Sequence, residues 1–352
     1  METEALSDHL FESMLGAMDA LTMAIGHRLG LYEALHHAGK ATPGELAART
    51  GTHPRYVREW LEQQTVAGLL FVEDPSAAPA ERRYSVPTEH APVLVDRESL
   101  LYFQPFMTMV AAAAVQVPAI ADAFRSGGGV SWRQYGEDMR LSQANANRAL
   151  FLTVLGQQWL PSISDVHARL AAGGSVADVG CGDGWSSIGI ALAYPGVTVD
   201  GYDVDADSVA AAAANAAAYG VADRVHFHRV DGAAAEKSGY DLVTAFECVH
   251  DMGDPVSVLA GMRTLAGDDG AVVVMDERAP ETFTGPGDTV EQALYGYSVL
   301  VCLPDGMSHE GSVGTGTVMR PDTLRGYAVE AGFDGIEVLP IEHDTFRFYR
   351  LA

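Results

Sequence analysis

One short segment, Val176-Ala177-Asp178-Val179-Gly180-Cys181-Gly182-Asp183-Gly184, does most to limit what this chain can fold into. Its apolar start reads as a buried strand, and its alternate glycines read as a tight turn into a helix that lets a ligand approach the backbone. The same texture continues downstream. Strands read at 175–179, 197–202, 225–230, 241–246 and 271–275, and helices at 185–194, 206–219 and 255–265. A last pair of strands, 335–341 and 345–351, is joined around His343-Asp344. This alternation predicts an α/β domain with a doubly wound, parallel sheet covered on both faces. No repeat of 20–50 residues is visible.

The chain ahead of residue 171 has a different texture. Leu10, Met14, Met18, Leu21, Ile25, Leu29 and Leu31 recur at helical spacing over residues 8–37. Thr42 caps a short helix with Pro43 at its first position and Gly51 at its end. A second helix starts at His53-Pro54 and carries Val57, Trp60, Leu61 and Leu69. Leu69–Val72 and Arg83–Val86 flank a Pro/Ala/Glu loop and read as a wing hairpin. The expected organisation is therefore a helical and winged-helix domain at 1–95, a helical, substrate-covering linker at 96–170, and the α/β domain at 171–352. With 352 residues, two domains of about 150 residues are the ordinary expectation.

A winged helix invites a DNA-reading role. The second helix carries Arg55 and Arg58 against Glu59 and Glu62, so it is neutral where a groove reader needs a basic face. The whole chain has 47 acidic and 22 basic residues, a formal charge of −25, which repels phosphate backbones and anionic membranes. Nucleic acid and membrane are thus not expected as partners; dimerisation and substrate covering are. The N-terminus lacks the basic and apolar regions of a signal peptide, and no apolar run reaches the roughly 18 residues of a spanning helix. Three cysteines without a CxxC spacing read as reduced thiols of a cytoplasmic protein.

The glycine loop also has acidic company. The next strand ends in Asp203, 19 residues past Gly184, where a carboxylate holds ribose hydroxyls. A third strand ends at Asp231-Gly232. A dinucleotide site carries G-x-G-x-x-G and offers its helix N-terminus to a pyrophosphate. Here Asp178 and Asp183 would repel a pyrophosphate. They suit a nucleoside ligand that has none and is positively charged, which describes S-adenosylmethionine.

On the loop, Asp203, Asp231-Gly232 and Tyr240-Asp241-Leu242-Val243, residues 145–352 resemble the class I S-adenosylmethionine-dependent methyltransferases. The resemblance implies a Rossmann-like seven-stranded sheet. It implies that Asp178, Gly180 and Gly182 line the methionine part, that Asp203 binds ribose, that Asp231 and Gly232 meet the adenine, and that Phe246 and Glu247 lie near the cofactor. The winged helix resembles that of natural-product methyltransferases, which implies a homodimer.

The chemistry is expected where the fourth strand ends, at Val249-His250-Asp251-Met252-Gly253-Asp254-Pro255. Ligands of open parallel sheets sit at the carboxyl ends of strands, so His250 and Asp251 face the cofactor's reactive end. A long insertion at 279–320, with a lid helix over Thr289–Cys302, brings His309 toward the same edge, and His343 is a further candidate there. Arg133, after three glycines, is placed to fork onto a substrate carboxylate.

The His-Asp-Met-Gly-Asp-Pro segment, the winged helix and the Gly/Ser-rich lid look like those of 2-oxoacid C3-methyltransferases of the phenylpyruvate and 2-ketoleucine type, from peptide natural-product pathways. That resemblance implies a metal (zinc, iron or nickel) held by His250 and His309, which chelates the oxoacid and stabilises its enolate. Asp251 or a metal-bound hydroxide is then the base. The alternative is a metal-independent O-methyltransferase of a phenolic natural product, with His250 as general base. A third reading, an acidic regulator that binds S-adenosylmethionine and DNA, is opposed by the neutral helix.

Overall fold

The computed structural model describes residues 2–235 and 237–352. The chain divides into two compact units, residues 1–115 with 137–149, and residues 116–136 with 150–352.

The first unit opens with α1 (Thr3–Arg28), α2 (Leu31–Ala38), α3 (Pro43–Thr50) and α4 (Pro54–Val66), followed by a hairpin of β1 (Phe71–Val72) and β2 (Tyr84–Ser85). Thr42 and Glu45 make a reciprocal capping box at the start of α3, and Gly51, in the left-handed region, ends it. Leu31, Tyr32, Leu35, Leu46, Leu61 and Tyr84 form the core. The indole of Trp60 donates to the Thr22 carbonyl at 3.0 Å, and Gly26 lets that ring approach so closely that a Cβ would meet it at 2.4 Å. Three of the four charges of α4 are paired within the unit: Arg55 with Glu59 at 2.5 Å, and Glu62 with Arg82 at 2.8 Å. The first half of α1 has no such support. Leu6, Leu10, Phe11, Met14, Leu15 and Met18 are all exposed.

The second unit carries the sheet: β3 (Ser175–Val179), β4 (Thr198–Asp203), β5 (Val225–Arg229), β6 (Leu242–Phe246), β7 (Ala271–Glu277), β8 (Ile336–Val338) and β9 (Phe346–Leu351), in spatial order β5-β4-β3-β6-β7-β9-β8. Strands β3 to β7 run parallel. Helices Trp185–Ala193, Ala206–Ala218 and Pro255–Ala266 fall where the 3.6-residue pattern puts them. Apolar layers cover both faces, with Val176, Ile188, Val199 and Leu242 on one and Val179, Val243, Leu259 and Val274 on the other. The sheet is mixed rather than purely parallel. Strand β9 runs antiparallel to β7 and to β8, because the short β8–β9 connection holds no crossover helix.

The strand order reverses around β3, with β4 on one side and β6 on the other. That is the crevice where doubly wound sheets bind their ligands. The insertion expected as a lid contains helix Thr289–Tyr297, a π-helical stretch Ser298–Cys302 and a last turn Leu303–Gly306. Among the described residues no single helix is long and apolar enough to cross a membrane.

Candidate active site

The loop after β3 is built on left-handed glycines, with φ of 71° at Gly180, 52° at Gly182 and 82° at Gly184. A side chain at Gly180 would run into the Cys248 sulfur at 2.6 Å, and one at Gly184 into Phe227 at 2.5 Å. Gly182 has open space above it, which leaves its backbone accessible.

Asp178 stands beneath this loop. It is buried, and both oxygens are engaged: one by the Ser186 and Ser187 hydroxyls at 2.6 Å each, the other by Thr244 at 2.9 Å. It therefore braces the loop from below rather than offering a free oxygen. Burial pushes its carboxyl above the usual range, against the pull of those hydroxyls. Asp203, at the end of β4, accepts from the Gly182 amide at 2.8 Å and the Asp205 amide at 2.9 Å. Each oxygen keeps a further lone pair for a ligand hydroxyl. Asp231 caps a short turn through the Ala233 amide at 2.9 Å, and Gly232 lies so close to Val179 that a Cβ would meet it at 2.5 Å. Phe246 is stacked on Phe151 with ring centres 5.9 Å apart.

The ends of β6 and β7 carry a different chemistry. His250 is 2% exposed, and its Nδ1 lies 2.6 Å from an oxygen of Asp276, which is itself fully buried. Its Nε2 faces Asp251 at 3.4 Å. Burial alone would push the imidazole down; the Asp251 and Asp276 carboxylates outweigh it and hold His250 well above its usual pKa. Glu247 adopts φ 56°, the left-handed region that side chains avoid, and its amide donates to the Met275 carbonyl at 2.7 Å. Burial and the neighbouring Glu277 push Glu247 far up, and burial raises Glu277 to about 7. Asp305 is likewise raised by burial to about 7. The charges acting on Asp251 come from His250 and Asp276, and the charge acting on Asp305 comes from Asp251.

Among the described residues, the cluster whose donor atoms all lie within 4.8 Å of one another is His250, Asp251 and Cys302. His309, expected to pair with His250, is not one of these three. His309 is exposed, and its Cβ stands over Gly253, where an added Cβ would meet it at 2.7 Å. Its loop meets the site through backbone instead: the Gly316 amide donates to the His250 carbonyl at 3.1 Å, and the Val313 amide to that of Gly253 at 3.0 Å. His343 caps its own turn through the Thr345 and Phe346 amides at 3.2 Å and stacks on Phe346. Arg133 is exposed; its neighbour Trp132 gives its amide to Asp305 at 2.6 Å, and Tyr135 gives its hydroxyl to the Leu300 carbonyl at 2.7 Å.

Sequence reasoning missed Asp276, Glu277, Cys302 and Asp305. The first two had a signal. Asp276-Glu277 closes an apolar strand, as Asp203 does, so both belong to the carboxyl edge of the sheet.

The family described as Rv2258c-like winged HTH domain matches residues 17–96, and the family described as Methyltransferase domain matches residues 177–272. The chain is 33% identical over 184 residues to a ubiquinone biosynthesis O-methyltransferase of Nitrosospira multiformis, covering 51% of this chain and 70% of that one. It is 31% identical over 196 residues to the protein of that name from Ralstonia nicotianae, covering 51% and 76%. Among solved structures, the mitomycin 7-O-methyltransferase superposes with a TM-score of 0.72 at 19% identity, over 99% of this chain and 98% of that one. Human N-acetylserotonin methyltransferase with S-adenosylmethionine gives 0.72 at 17% identity, over 100% and 99%. At such identities the likeness to these structures is one of fold.

Proposed function

Because this chain belongs to the class I S-adenosylmethionine-dependent methyltransferases, we propose that it methylates a hydroxyl oxygen of a small phenolic natural product, with His250 as general base. The observation that carries this reading is the buried Asp276–His250 pair at 2.6 Å. Asp276 fixes the ring so that Nε2 is turned toward Asp251. An imidazole held in that way takes a phenolic proton as the oxygen attacks, and Asp276 stabilises the imidazolium that results.

The loop residues fit the cofactor. Gly180 and Gly182 give backbone access to its methionine part, with Asp178 setting their position from below. The spare lone pairs of Asp203 suit the ribose hydroxyls, and Asp231 with Gly232 the adenine edge. Phe246 and Glu247 lie beside them. S-adenosylmethionine, when bound, supplies a methyl group on a positively charged sulfur. The protein's task is to hold that methyl in line with the acceptor oxygen. The carboxyls of Glu247, Glu277 and Asp251 favour the positive charge, and the lid excludes water.

The names of the related proteins support oxygen as the acceptor atom. Methylation at C3 of a 2-oxoacid has less support. The exposed apolar half of α1 supports pairing with a second copy of this chain.

The test is methyl transfer from isotope-labelled S-adenosylmethionine to a panel of phenols and 2-oxoacids, with and without chelator. Labelled methyl ethers that persist with chelator are the expected result. Label found only in 2-oxoacids, and lost with chelator, would replace this reading with the other.

A further inference from the structure

We propose that His250, Asp251 and Cys302 form a binding site for a zinc-class divalent cation, distinct in its ligands from any pairing with His309. The three donors come from two elements, the turn after β6 and the π-helical stretch of the lid, and lie within 4.8 Å of one another. Around a zinc ion, nitrogen, oxygen and sulfur donors stand about 3–4 Å apart. Closing the cluster onto one ion thus takes side-chain movement on the order of 1 Å.

Two further observations point to a cation. Asp276 holds Nδ1 of His250 at 2.6 Å, the carboxylate–histidine arrangement that fixes the tautomer with Nε2 free to ligate. An oxygen of Asp251 is sealed from solvent with no hydrogen-bond partner, although it faces Nε2 at 3.4 Å. The Thr317 hydroxyl, in a residue 2% exposed, lies against Cys302. Orphaned buried acceptors are costly. A cation between these groups gives Asp251 its missing partner. The Asp251 side chain remains 36% exposed, so one face of the cluster opens outward. Three protein ligands and one open position are a common zinc arrangement.

Binding is balanced by release of two protons, one from the Cys302 thiol and one from Nε2 of the protonated His250, with metal–sulfur and metal–nitrogen bonds formed in their place. Ligation also uses the lone pair of Nε2. If His250 is the base of the methyl transfer proposed above, a bound cation stops that transfer. The site itself does not depend on that reading.

The experiment is titration of the full-length protein with Co2+, without cofactor or acceptor, followed by displacement with Zn2+. One equivalent should bind, with a thiolate-to-cobalt charge-transfer band that Zn2+ abolishes. Cys302→Ser should remove the band and weaken binding more than about tenfold. Asp251→Asn, at the open rim, should weaken it comparably and serves if the cysteine variant fails to fold. His309→Ala should change nothing. Wild-type protein that binds S-adenosylmethionine but shows no such band would overturn the proposal, as would a band that survives Cys302→Ser. Methyl transfer that continues with the cation bound leaves the metal site standing and removes His250 as the base.

Discussion

The two halves of the sheet's carboxyl edge handle carboxyl groups in opposite ways. At β3 and β4, Asp178 and Asp203 are surrounded by donors: three hydroxyls on one, two amides on the other. At β6 and β7, Glu247, Asp251, Asp276 and Glu277 crowd around a single imidazole. One half is finished before a ligand arrives, with every charge answered. The other half is short of donors and keeps its protons loosely assigned. The first arrangement suits holding a ligand in place; the second suits moving a proton.

That contrast predicts different losses. The largest effect should come from His250→Asn, which should lower kcat on the order of a hundredfold or more while cofactor affinity stays near wild type. Isothermal calorimetry with a turnover assay separates the two, and a fall in both would erase the division of labour. Asp276→Asn should come next. It removes the group that orients the ring and raises its pKa, so kcat falls and the pH profile moves. The sign follows from His250: its raised pKa keeps it protonated at pH values where a free histidine is neutral. In wild type, kcat/KM should rise with pH through an apparent pKa above the usual 6.5. In Asp276→Asn that midpoint should fall, and an unmoved midpoint would detach His250 from the rate.

On the finished side, Asp203→Ala should weaken cofactor binding about 10–100-fold, the loss of charged hydrogen bonds worth about 1.5–3 kcal/mol. Its kcat at saturating cofactor should stay near wild type; a kcat loss matching that of His250→Asn would break the comparison. The smallest effect is expected from His309→Ala, a change in turnover of less than about threefold, because its side chain is exposed. A large loss there would bring the His250–His309 pairing back.

Much of the fold is legible because its signals are local. The glycine loop, the alternation of strands and helices, and the Thr42–Glu45 cap each depend on residues a few positions apart. The cofactor half of the site shares this property, since its acids end consecutive strands. The reacting half does not. His250 is legible at the end of β6, but its partner Asp276 sits 26 residues on, and Cys302 is one apolar-looking residue in a lid helix. Nothing local marks it as a neighbour of an imidazole. His309 shows the reverse situation. Topology carries its backbone to the right edge, whereas the direction of its side chain is set by packing over Gly253.

Glu247 has a consequence for anyone who sets out to make this protein more heat-resistant. Among the described residues it is the non-glycine residue with a left-handed backbone, a conformation that costs a side-chain-bearing residue on the order of 1 kcal/mol and a glycine almost nothing. A screen for thermal survival should therefore be drawn to Glu247→Gly. The same change empties the acid pair with Glu277 beside the imidazole. Variants chosen for endurance alone will tend to collect beside the imidazole, so selection has to score both properties together.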